Sequence, residues 1–337
     1  MDLDDRVIDF FPDQVPEDAN DNLRALRVRQ LLNMTTGQEG SAEFRDHDDW
    51  IEAFMASDFP HKPGTHWVYN SSASFMLSAI VQQVTGQTML DYLEPRFLDP
   101  LGIEGAEWEV NPQGINTGGW GLSVRTRDLA ALGQFYLQKG AWRGEQLLSE
   151  TWVEEATRKQ ASNGCEPESD WDQGYGYQFW MCRHGLYRGD GAHGQFCIVF
   201  PEQDAVLAIT SGTADMGSVM NTVWDTLLPA LQGVEPLPED AVLASKLETR
   251  LSGLTLPVQS GAGASPLMDQ VGGKTYRIAD NAMGVSMARL EQEGASHVLI
   301  YETATGEHRF PAGHGFWLES TSTLSPEGPM PAAASYG

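Results

Sequence analysis

The sequence predicts an α+β fold followed by a small β-rich domain, on three observations. After Ser71, apolar residues recur at helical spacing: Met76, Ile80 and Val84 stand at i, i+4 and i+8, with Leu77 and Val81 beside them. Two apolar runs, 195–200 and 205–210, flank residues 201–204 as the strands of a buried hairpin flank a four-residue turn. Past Leu231 the sustained helical period stops, and short strand-like runs such as 296–301 follow.

The elements read in order as follows. Residues 6–11 form an extended run, an acidic Pro-bearing loop follows, and a helix covers 23–32, ending before Gly37. An acidic segment with Trp50 and Phe54 leads to a turn at 62–65. The next helix takes Ser71 or Ser72 as its N-cap and Gly86 as its C-cap. Another starts near Thr88 and meets Pro95, and a third runs from Thr126 as N-cap to Gly140. Between these last two, residues 116–123 hold Gly118, Gly119 and Gly121, too many glycines for a regular element and suited to close backbone approach. An amphipathic helix spans 216–231, with Val219, Val223, Leu227 and Leu231 on one stripe. This gives a main domain over 1–232, a linker over 233–265 and a β-rich domain over 266–337, ragged from about Ser320.

With 337 residues the chain has room for one large core and a small second one, because single cores stop growing near about 250–300 residues. Its 47 acids against 21 bases give a formal charge of -26, which disfavours nucleic acid, whose phosphates need clustered Lys and Arg. No stretch approaches the ~20 apolar residues of a membrane-spanning helix. Cys165, Cys182 and Cys197 are odd in number and lack a C-x-x-C spacing, which suits core packing in a reducing compartment. With no basic and apolar leader after Met1, the expectation is a cytoplasmic chain.

Several catalytic signatures are absent: H-E-x-x-H, the G-x-S-x-G elbow and the phosphate-binding loop. A G-x-G-x-x-G match at 189–194 precedes a strand instead of joining strand to helix, so it does not argue for a dinucleotide. The eight histidines show no paired spacing of a metal site, and neither metal nor cofactor is expected. Three features remain: Tyr69 at the mouth of the helix, the glycine-rich loop, and the segment 187–195. A tyrosine is a poor base at neutral pH unless a cation stands beside it, when it can draw a proton from an alcohol. A helix N-terminus leaves N–H groups free for an anion, and glycines before a strand let a substrate lie along its edge. Taken singly, Tyr69 is more often a buried tyrosine with a satisfied hydroxyl, His193 a hydrogen-bonded loop histidine and the glycines turn residues.

Their joint order carries more. The segments 3–7, 28–37, 63–71, 80–86 and 100–103, then 118–123 with 128–130, then 191–195 with 201–204, together resemble the serine β-lactamase and penicillin-binding-protein family, in its class C and esterase-like branch. The resemblance covers 1 to about 231 and implies a β-lactamase/transpeptidase-like α/β sandwich, an antiparallel sheet flanked by helices. It implies a hydrolase that cleaves a small-molecule ester, amide or lactam through an acyl-enzyme. Tyr69 matches the family's proton-relaying tyrosine, with Asn70 and Ser71 in the next two positions, and His193 falls in the strand-edge motif. Gly119, Trp120, Arg188, Gly194 and Gln195 are the implied substrate and oxyanion contacts. The absence of Lys-Thr-Gly favours an ester or amide, and Arg188 is the implied substitute cation for a substrate carboxylate.

The family's nucleophile lies in a Ser-x-x-Lys motif, and this chain contains none: Phe59, Tyr136, Ala156, Leu243 and Val271 stand three before its five lysines. The implied polypeptide starts inside the domain, without the nucleophilic helix and the first strands. Such a chain would expose a sheet edge and self-associate through it. The other reading is a pseudoenzyme that keeps the pocket for ligand binding or regulation.

Overall fold

The computed structural model describes residues 2–42, 44–231, 238–294, 296–325 and 328–337. The chain divides into two units, Met1–Pro236 and Leu237–Gly337. The expected boundary at 232/233 lies outside the described residues.

In the first unit, the expected helix over 23–32 is two short ones, α1 (Asp21–Ala25) and α2 (Val28–Leu32). Leu26 and Arg27 are extended because the chain start pairs with them: the Val7 N–H donates to the Leu26 carbonyl at 2.9 Å, and Arg6 bridges Arg27. The run 6–11 is a tight helical turn at Val7–Asp9 instead of a strand. Trp50–Met55 forms α3, capped by Asp49. Helix α4 (Ser71–Thr85) ends at Gly86, whose φ of 72° only glycine adopts freely, but its N-cap is Asn70, not a serine. Helix α5 (Met89–Leu93) runs past Pro95 through a widened turn, Glu94–Leu98, into α6 (Asp99–Leu101). Loop 103–123 forms the small ladder of β1 (Glu107–Trp108) with β2 (Leu122–Ser123). Helix α7 (Thr126–Leu137) is capped from Arg125, whose N–H donates to Asp128. A small hairpin, β3 (Ala141–Trp142) with β4 (Glu145–Gln146), and α8 (Glu150–Thr157) follow.

Four antiparallel strands then build the sheet in the order β5 (Trp180–Met181), β6 (Tyr187–Gly191), β7 (Gln195–Phe200), β8 (Ala205–Ile209). Alternation along β7 covers both faces. Phe196, Ile198 and Phe200 pack on Met220, Val223, Trp224 and Leu228 from α9 (Met216–Thr222) and its continuation through Val223–Leu227 into α10 (Leu228–Ala230). Cys197 on the other face donates to the Leu129 carbonyl of α7 at 3.1 Å. Helix α7 reaches the sheet through Gly133, where a Cβ would stand 2.4 Å from Val206. Strand β8 is an outer strand of this sheet. A second core joins α2, α3 and α4 through Leu31, Phe54, Phe75, Met76 and Ile80. Cys182 and Cys197 are buried free thiols, whereas Cys165, expected in the core, is exposed.

In the second unit, the stretch expected as a linker forms helix α11 (Ala241–Ser252), because Asp240 caps the N–H groups of Val242 and Leu243. After α12 (Met268–Val271), six strands form one sheet in the order β13-β14-β12-β11-β10-β9. These are β9 (Thr275–Arg277), β10 (Met287–Glu293), β11 (Ser296–Thr303), β12 (Gly306–His314), β13 (Leu318–Ser322) and β14 (Met330–Tyr336). The tail expected to be ragged supplies β14, paired with β13 on one side and β12 on the other. Val298 and Ile300 are buried on the face that carries the Arg289, Glu291, Glu307 and Arg309 ion pairs. Among the described residues, no helix is long and apolar enough to cross a membrane.

Candidate active site

Where the mouth of α4, the loop 118–122 and the end of β6 meet, a cleft of about 810 Å³ opens. Its walls are aromatic: Tyr69, Trp108, Trp120, Trp171 and Trp180, with Arg45, Ser71, Gly119, Asp190, Ala192, Gln195 and Met216 between them.

Tyr69 precedes the helix by two residues and is 43% exposed. Its ring stacks on Trp180, 5.4 Å between centroids at 28°, and Trp180 in turn sits edge-on to Tyr175 and Trp67. Among the described residues the Tyr69 hydroxyl has no hydrogen-bond partner. Partial burial against this wall, and then the Asp190 carboxylate, push its pKa above the ordinary 10. Tyr69 is therefore a protonated phenol at neutral pH. It is placed to donate a hydrogen bond, and among the described residues no cation lowers its pKa to make it a base.

Asn70 does not face the cleft. It is fully buried, and its amide is consumed by the fold: Oδ1 accepts from the Ala73 N–H at 3.1 Å and from Ser72, while Nδ2 donates to Gln38 at 2.7 Å. An asparagine does both because it carries donor and acceptor on one short stem. Ser71 does line the cleft. The glycines of the loop serve the helix rather than a ligand: a Cβ on Gly118 would stand 2.4 Å from the Ser74 carbonyl, and one on Gly119 2.8 Å from that of Ser71. That fit sets the Trp120 ring into the cleft, with its carbonyl accepting from the Trp108 indole at 2.8 Å.

Arg188, expected to offer its charge to a substrate, is instead internal, at 0% exposure. Its guanidinium pairs with Asp190 at 2.7 Å, donates to the Asp170 carbonyl at 3.0 Å, and lies over the rings of Trp171 and Trp180. The Trp171 indole completes the set by donating to Asp190 at 3.0 Å. Arg188 thus holds the tryptophan wall from behind. Asp190 feels burial first, which raises its pKa, and Arg188 offsets this only in part. Deeper still, Asp170 accepts from Arg183 at 2.9 Å and from the Trp224 indole at 2.8 Å, contacts that outweigh its burial and hold its carboxyl below the usual value.

His193 and Gly194, also expected at the site, form the tight turn between β6 and β7. The His193 ring is exposed and outside the cleft wall, and its carbonyl accepts from Thr213 N–H at 3.0 Å. Gly194 is buried with φ +87°, and a Cβ there would strike the Ser211 hydroxyl. Gln195 reaches the wall but spends its amide on the backbone of Ser211. Sequence reasoning missed Arg45, Trp108, Trp171, Trp180, Asp190 and Met216. Trp171 and Trp180 belong to no local motif, and Asp190 acquires its role only through Arg188. Among the described residues, no group of three His, Cys, Asp or Glu side chains is arranged to hold a metal ion.

The family model for β-lactamase matches residues 1–229. The chain belongs to the β-lactamase family. Among its relatives is the 6-aminohexanoate-dimer hydrolase of Paenarthrobacter ureafaciens, 28% identical over 159 residues, which make up 44% of this chain and 39% of that protein. The chain spans less than two thirds of that relative's length. Solved structures of the same fold include the octameric penicillin-binding protein homologue from Pyrococcus abyssi, at TM-score 0.53, 18% identity and coverage of 99% of this chain and 78% of that one. Another is EstCE1, a hydrolase with promiscuous acyltransferase activity, at TM-score 0.53 and 17% identity over 64% and 74%. The β-lactamase/transpeptidase-like fold and the hydrolase class of the family follow from these matches.

Proposed function

We propose that this chain supplies the tyrosine side and the substrate walls of a serine hydrolase site that cleaves a small ester, amide or lactam through an acyl-enzyme. The observation that carries the reading is Tyr69, a phenol whose hydroxyl has no partner among the described residues, held on Trp180 in a cleft lined by indoles. Such walls fit an apolar acyl or leaving group, and the raised pKa keeps a proton available for the departing oxygen or nitrogen. An amide is favoured, since the P. ureafaciens relative is by name a hydrolase of the 6-aminohexanoate dimer. The proton relay needs a serine and a lysine facing Tyr69, and this chain has no Ser-x-x-Lys.

The test compares this chain with a version joined at its N-terminus to a family segment carrying Ser-x-x-Lys, using p-nitrophenyl acetate turnover and fluorophosphonate labelling. Turnover and label are expected only in the joined version, and Tyr69→Phe should cut that turnover by about a hundredfold or more. A joined, folded version that neither turns over nor labels overturns the hydrolase reading.

A second reading, a pseudoenzyme that binds a ligand in the same cleft, draws on the absence of Ser-x-x-Lys from the chain. It predicts saturable ligand binding by this chain with no turnover in either version. Self-association through the β8 edge belongs with both readings, and light scattering across a concentration series checks it.

A further inference from the structure

Arg45 is exposed at the cleft and was absorbed by none of the roles above. Its guanidinium carbon lies 4.5 Å over the centre of the Trp120 ring. Among the described residues it makes no ion pair and no hydrogen bond, so its donors meet no acceptor among them. Among the described residues that line the cleft it is the only Lys, Arg or His. The one acid there, Asp190, is already neutralised by Arg188. Arg45, Ser71 and Trp120 also line an adjoining cavity of about 420 Å³ that Asp46 and His47 line as well, so the guanidinium stands where the two spaces meet.

Chemistry selects what such a group takes. A guanidinium presents a planar fork of N–H donors that matches a carboxylate, and stacking on an indole pre-orders the side chain without consuming those donors. The chain's charge of -26 would otherwise repel an anion, which makes a local cation at the entrance the means of admitting one.

Resting on the reading of the cleft as a substrate site, we propose that Arg45 is its anion receptor: it takes the carboxylate of an acid-terminated substrate whose apolar portion lies on the indole walls. The role expected for Arg188 would then fall to a residue from a different segment.

The test is calorimetric titration of the chain with N-benzoylglycine and with its methyl ester, at low and at raised salt, using the wild type, Arg45→Gln and Arg45→Lys. The acid is expected to bind the wild type about tenfold more tightly than the ester, with the gap narrowing in salt. Arg45→Gln should abolish the gap by weakening the acid about tenfold more than the ester, and Arg45→Lys should keep part of it. A gap of equal size in the wild type and Arg45→Gln overturns the role of Arg45 and leaves the cleft reading standing. Failure of both compounds to bind the folded wild type overturns the cleft reading and this proposal together.

Discussion

Arg188 and Asp190, two residues apart on β6, form a buried ion pair at 2.7 Å directly behind the tryptophan wall of the cleft. The burial of this pair decides how it answers to mutation. Removing one partner leaves the other charge in the interior. Arg188→Met should therefore destabilise the first unit by about 3–5 kcal/mol, whereas Arg188→Met with Asp190→Asn should recover much of that loss. Urea unfolding of the two variants and the wild type measures the difference. Equal loss in both variants would mean that the guanidinium acts by packing alone.

Asn70 gives a second case in which a residue expected at the chemistry belongs to the frame. Asn70→Ala removes the cap of α4 and one of the two donors to Gln38 Oε1, which keeps the Thr36 hydroxyl, at a cost of about 1–2 kcal/mol. Asn70→Asp should keep the cap but set a buried carboxylate against the Gln38 Oε1 acceptor, so its thermal midpoint should fall well below that of the wild type.

The loop glycines differ in what they tolerate. Gly118→Ala combines a φ of +69° with a Cβ 2.4 Å from the Ser74 carbonyl, so the loop must leave the helix. Gly114→Ala has φ +76° with nothing within 4 Å and should cost only about 1 kcal/mol, the strain of the left-handed backbone. Denaturation midpoints should show the first variant far below the second, and only the first should disturb the near-ultraviolet signal of Trp120.

Acid sensitivity follows from Asp170. Its folded pKa lies below the ordinary 3.8, so the folded state holds the proton less readily than the unfolded chain. Its contribution is fully present well above pH 3.8 and is lost as pH falls through that value toward the folded one. The stability gap between the wild type and Asp170→Asn should therefore be widest near neutrality and should close below about pH 4. A gap that is constant from pH 7 to 3 would show that Asp170 acts only through its shape.

Much of the framework was legible because it is written in local periods and caps. The i, i+4, i+8 stripe of α4 with Gly86 behind it, the hairpin around 201–204 and the stripe of the helix after Met216 each depend on near neighbours. The break at Leu26 and the strand at 330–336 were not legible, since each is imposed by pairing with a distant segment.

The sequence by itself determined the family, the tyrosine at the mouth of α4 and the glycine loop, because these are features of residue order. It also determined that no Ser-x-x-Lys is present. Only the tertiary structure decided which polar groups reach the cleft. Burial consumed Arg188 and Asn70 within the frame, the turn at 193–194 held its polar groups away, and Arg45 was left at the entrance with no partner for its donors among the described residues. The physical reason is that a side chain's chemistry is available to a ligand only after the fold has claimed the donors and acceptors it needs for itself.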